Sequence, residues 1–150
     1  MQSKSPYLAI AAGLGVLALI NDVLLHPYPI STAIAIVLYV LVLALAYLGG
    51  RAAHHWDTRP GWVGAAIGAL FGLIAGLSSF LIHATTQDIQ VPAKGLYRLK
   101  LLELANSPLA HVAAVATAVL TFGIIALIIG WIGGLTTKTS DLPAKRPDSA

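Results

Sequence analysis

Residues 61–79 read GWVGAAIGALFGLIAGLSS. The stretch has no charged residue and no β-strand alternation, and five glycines punctuate it: Gly61, Gly64, Gly68, Gly72 and Gly76. The last four recur every fourth residue, so on an α-helix they fall along one face. A soluble helix gains little from such a face, because glycine weakens a helix and buries nothing. In lipid the balance differs. No hydrophobic drive brings two helices together there, and bare backbone at i, i+4 lets a neighbour approach closely enough for dispersion to hold it. The stretch therefore reads as a membrane span with a glycine-zipper face. Gly64, Gly68, Gly72 and Gly76 are the helix-packing candidates, and Gly13, Gly15, Ala9 and Ala12 make the first apolar stretch a plausible partner within the chain.

The remainder of the 150 residues agrees with this reading. Hydrophobic residues make up 57% and charged residues only 10%, against about 25% charged in a soluble domain. A span needs about 20 apolar residues. Four stretches meet that length: about 7–25, 30–48, 62–84 and 109–135. Backbone groups cannot go unpaired in lipid, so each is expected to be helical. The expected fold class is all-α, an integral membrane four-helix bundle over 1–135, followed by a disordered polar tail over 136–150. Tyr7, Tyr28, Tyr47, Trp62 and Trp131 stand near the ends, as an interfacial belt requires.

The boundaries are signalled by proline, serine and glycine. His26-Pro27-Tyr28-Pro29 closes the first stretch, and Pro29 suits the first turn of the second. Pro60 opens the third. Ser107-Pro108 is a cap followed by proline at the first helical position, and opens the fourth. Gly49-Gly50 and Gly133-Gly134 read as stops for the second and fourth. The first stretch is too long for a cleaved signal and lacks a small-x-small cleavage site, so it is read as a retained helix. Between the third and fourth stretches lies one longer loop, about 85–106, whose AKGLYRLKLLELA segment suits a short helix.

Basic residues set orientation. Lys4, Arg51, Arg59, Lys138, Lys145 and Arg146 fall on one side, against Lys94, Arg98 and Lys100 on the other. This predicts a multi-pass protein of the cell inner membrane with both termini cytoplasmic and the longer loop extracytoplasmic. His54-His55, with Arg51 and Arg59 nearby, is expected to meet lipid headgroups.

Composition also removes chemistry. There is no cysteine, hence no disulfide, thiolate zinc site or cysteine-bound cluster. No phosphate loop and no basic stripe for nucleic acid is present. Ser78-Ser79 precedes His83, but nothing marks a nucleophile–base pair, and an enzyme is not the expectation. What remains is a polar set in NDVLLHPYP, residues 21–29. Asp22 is the one charged residue inside a span, and such residues are functional candidates. His26 lies one turn on, on the same face. With the termini inside, His83 and His111 fall at the same level. Asp22, His26, His83 and His111 are thus the candidate cofactor or metal residues. Facing imidazoles suit haem b, three imidazoles with a carboxylate suit a divalent metal, and titrating imidazoles suit quinone headgroups or protons. Against this stands a bland alternative in which Asn21 and Asp22 simply hydrogen-bond to the next helix or to the loop. Two functions follow: an accessory or structural subunit of a larger membrane complex, respiratory or photosynthetic, assembled with other membrane subunits or as a homo-oligomer; or a haem-, metal- or quinone-binding or small-solute transport protein using the Asp/His set.

Overall fold

The computed structural model describes residues 5–56, 58–85 and 96–140. Its elements are α1 (Ser5–Leu25), α2 (Pro29–Ala52), a 3-10 turn (Ala53–Trp56), α3 (Pro60–Gly76), α4 (Ser78–Leu81), α5 (Leu96–Ala105) and α6 (Pro108–Ser140). All of these elements are helical, and the fold is all-α. Four helices are long and apolar enough to cross a membrane: α1, α2, α3 continued by α4, and α6. At about 1.5 Å per residue, a 21-residue helix such as α1 matches the hydrocarbon thickness of about 30 Å.

The starts fall where the capping chemistry puts them. Pro29 and Pro60 occupy first turns, where a missing N–H costs nothing. Ser107 accepts the Ala110 N–H on its Oγ at 3.2 Å, and Pro108 follows it as the first residue of α6. The 96–105 part of the long loop is helical, as its composition suggests. Residues 136–140, assigned by composition to the polar tail, are helical instead, because α6 runs to Ser140. Residues 141–150 and the loop's 86–95 lie outside the described residues.

Two expected stops are corrected. α2 passes through Gly49-Gly50 to Ala52, and α6 passes through Gly133-Gly134. Both pairs are buried within their helices. A Cβ on Gly50 would collide with the Gly130 carbonyl, one on Gly133 with the Tyr47 carbonyl, and one on Gly134 with the Pro60 ring. These glycines permit backbone contact between helices instead of ending them. The third stretch needs the opposite correction. It does not run unbroken to residue 84: α3 stops at Gly76, and α4 follows after a turn at Leu77. There the Leu77 N–H reaches back to the Ile74 carbonyl at 3.2 Å, a tightened last turn.

The glycine face of α3 is covered by α6. Cβ atoms on Gly64 and Gly68 would overlap the carbonyls of Ala126 and Phe122, and one on Gly72 would lie 2.6 Å from the Ala118 carbonyl. The expected partner, the first helix, packs on α3 by another route: Gly15 meets Ile74 and Phe71, while Gly13 has nothing within 4 Å. α2 and α3 each touch the other three spans, whereas α1 and α6 lie on opposite sides of this central pair. Between them sit Phe71, Ile67 and Val42, the largest fully buried side chains. Phe71 stacks edge-on with Phe122 at 4.9 Å and with Tyr39 at 5.9 Å.

Contacts sort the helix ends into two groups. At one end the Tyr7 ring meets Trp56 at 5.3 Å, the Tyr47 hydroxyl bonds Thr136 Oγ1 at 3.1 Å, and Pro60 abuts Gly134. The start of α1 and the last turns of α6 therefore share an end. At the other end lie the α1–α2 turn, α4, and the junction of α5 with α6.

Candidate functional site

The end formed by the α1–α2 turn, α4 and the start of α6 gathers the polar residues. Asn21 is 3% exposed. Its Nδ2 donates to Ser31 Oγ at 3.0 Å and to the Ser31 carbonyl at 3.2 Å, tying α1 to the first turn of α2. Interhelical bonds of this kind contribute about 0.6 kcal/mol on average in a bilayer. Its Oδ1 is buried without a hydrogen bond, and nothing in the structure explains that. The bland alternative thus describes Asn21 well: it is a helix-to-helix tie.

Asp22 is likewise tied to another helix, here α4. It accepts a hydrogen bond on Oδ2 from Ser78 Oγ at 3.1 Å. Ser78 is the first residue after the Leu77 turn, and it and Ser79 line the cleft. Ser79 donates to the His111 carbonyl at 3.4 Å, linking α4 to the first turns of α6. Asn106 closes the outer edge. It accepts the Ala84 N–H on Oδ1 at 2.7 Å and donates to the Ala84 carbonyl at 3.0 Å, which pins the chain leaving α4 against the end of α5.

These elements enclose an open cleft of about 490 Å³ lined by Asp22, His26, Ser78, Ser79, Ile82 and His111, with alanines 84, 105, 110 and 114 completing the wall. Three of the four expected site residues, Asp22, His26 and His111, therefore share one concavity. The fourth, His83, is not part of its lining. It stands beside His111, ring centroids 6.2 Å apart and planes at 72°, while Phe80 packs on His111 from 5.2 Å.

Among the described residues no three histidine, aspartate or glutamate side chains come together as a metal site does. The two close imidazoles are rim neighbours, one just beyond α4 and one in the first turns of α6, and do not face each other across the core. Between the spans the Phe71 ring contacts those of Phe122 and Tyr39. Asp22 with His26 on one face is legible from their spacing. Ser78 and Ser79 are not, because their partners lie on α1 and α6, far away in sequence. A serine pair immediately after the last glycine of a glycine face is the available signal.

The chemistry of the cleft is that of hydrogen bonding beside apolar walls. A carboxylate accepts, serine hydroxyls donate and accept, and a neutral imidazole does one at each nitrogen. Such a set orients a molecule carrying both hydroxyl or carbonyl oxygens and an apolar body. Comparison with family models, with curated proteins and with solved structures finds no match.

Proposed function

We propose that this chain is a multi-pass protein of the cell membrane, termini on the cytoplasmic side, that binds the polar head of a lipid-soluble small molecule of the quinone class in the cleft of Asp22, His26, Ser78, Ser79 and His111. The orientation draws on the six basic residues at the terminal end against three in the loop. The observation that carries the binding reading is the cleft itself. A membrane-level carboxylate, two imidazoles and two hydroxyls line one opening large enough for a ring-sized head. A quinol hydroxyl has an acceptor in Asp22, and a quinone carbonyl has donors in the imidazoles.

The test is photolabelling of the protein in lipid nanodiscs with an azidoquinone, mapped by peptide mass spectrometry. Label is expected on residues 22–26, 78–84 and 105–114, and unmodified decylubiquinone is expected to compete it away. Asp22→Ala and His111→Ala are each expected to weaken labelling about tenfold, the effect of losing about 1.4 kcal/mol of binding. Label spread evenly over the lipid-facing helices, unaffected by competitor, defeats the reading.

A second reading, an accessory subunit of a larger membrane complex, draws on α6, whose Leu120, Ile124, Ile128 and Trp131 project outward. The glycine face of α3 lends it no support, because α6 itself covers that face. Native mass spectrometry of gently extracted protein separates the two, since only the accessory role requires other subunits in the particle.

A further inference from the structure

A second concavity lies at the opposite end of the bundle, where the chain enters α3. It holds about 360 Å³ between the first turn of α3 and the lower part of α6, and is lined by Arg59, Pro60, Gly61, Trp62, Leu127 and Trp131. We propose that it is a binding site for one anionic phospholipid, with the phosphate on Arg59 and an acyl chain laid along the α3–α6 groove. The proposal rests on the chain spanning a bilayer. It is independent of the quinone cleft.

The charge and the walls point to this occupant. Arg59 is exposed and precedes Pro60 as the N-cap of α3, where it offers no side-chain bond to the helix. A guanidinium matches phosphate oxygens with paired N–H donors. The indoles stand in the open, Trp62 63% and Trp131 56% exposed, at the depth where tryptophan meets headgroups. At the floor, a Cβ on Gly61 would lie 3.3 Å from the Leu127 carbonyl, so the helices close the groove from behind. Further along, small residues bring α3 and α6 into contact beneath the seam that an acyl chain would follow. A Cβ on Gly123 would lie 3.7 Å from the Ala69 Cβ and 3.9 Å from the Ala65 carbonyl. Trp131 to Ile124 is seven residues of α6, about 10 Å along the helix. An acyl chain lying there replaces solvent-like mobile lipid with a fixed partner, while a free phosphate ion gains nothing from this trough.

The experiment is tryptophan quenching in nanodiscs. The protein is reconstituted in phosphatidylcholine with a rising minor fraction of either dibrominated phosphatidylglycerol or dibrominated phosphatidylcholine. Quenching by the anionic lipid is expected to require about fivefold less lipid, the enrichment one basic residue gives at a membrane surface. Arg59→Gln is expected to erase the difference, Trp131→Phe to reduce the quenchable signal, and inorganic phosphate to leave it unchanged. Equal quenching by both lipids in the wild-type protein overturns the proposal. Loss of the preference on adding inorganic phosphate overturns the lipid as occupant in favour of the ion. If neither lipid quenches, membrane insertion itself fails, and the proposal falls with it.

Discussion

Gly68→Leu is expected to abolish the folded bundle. The position has no room for any side chain: a Cβ there would overlap the Phe122 carbonyl and lie 2.6 Å from the Ala126 Cβ. Both obstacles belong to α6, and the carbonyl is backbone inside a continuous helix, so it cannot turn aside as a side-chain tip does. Relief requires α3 and α6 to separate, and with them goes the largest contact between any two spans. Overpacking in a core that can partly adjust costs about 1–3 kcal/mol. Here adjustment is blocked, so the loss is expected at about 3 kcal/mol or more. It should appear as aggregation on size-exclusion chromatography in mild detergent. Gly13→Leu is the control. Nothing lies within 4 Å of a Cβ at that glycine, and its elution is expected to match the wild type.

Phe71→Ala is expected to have the second-largest effect, by the opposite route. Phe71 is 0% exposed and joins α3 to α2 and α6 through its edge-on contacts with Tyr39 and Phe122. In water a Phe→Ala change in a core costs about 3–5 kcal/mol. Part of that is transfer from water, which a helix dispersed in lipid does not recover. The cavity and the lost ring contacts remain, for an expected cost of about 2 kcal/mol. The variant should still fold, with a lowered thermal midpoint in detergent. Phe80→Ala, at an exposed ring on the rim, is expected to shift the midpoint far less. A Phe71→Ala protein as stable as the wild type would show that the ring cluster does not organise the core.

The two substitutions also mark how far residues alone determine the bundle. Span number and helix starts are legible, because lipid thickness sets the length and proline or serine marks the first turn. The face of α3 is legible, because four glycines at spacing four rarely line a helix except where another backbone lies against it. Its partner is not. The choice between helices depends on which other backbone can approach, and that information is divided among Gly130, Ala126 and Ala118 on a helix whose own pattern has no single face. Gly49-Gly50 and Gly133-Gly134 mislead for a related reason. Glycine serves both to end helices and to let them touch, and a pair beside Arg51 or Thr136 looks like an ending. Gly50 against Gly130 and Gly133 against Tyr47 show the other use.

At the cleft, the four-residue spacing of Asp22 and His26 places them together, and His111 joins them by its level in the bundle. Ser78, 56 residues from Asp22 in sequence, is joined to it only by the packing of α1 on α3 and α4. His83 has the right level and the wrong direction. Leu77 keeps right-handed helical dihedrals, but Ile82 turns to extended backbone at φ -104° and ψ 119°, so residue 83 lies off the helix and face arguments stop at Leu81.

The α3 glycine face is closed by α6 of the same chain. The absence of cysteine makes a direct test clean. A Cβ built at Gly123 lies 3.7 Å from the Ala69 Cβ, within the range of about 3.5–4.5 Å that a disulfide spans. The double variant Ala69→Cys/Gly123→Cys, oxidised in membranes, is expected to yield a monomer of altered mobility on non-reducing gels, while Gly13→Cys/Gly123→Cys does not cross-link. A disulfide-linked dimer as the main product of the first pair, or no cross-link at all, would contradict closure within one chain.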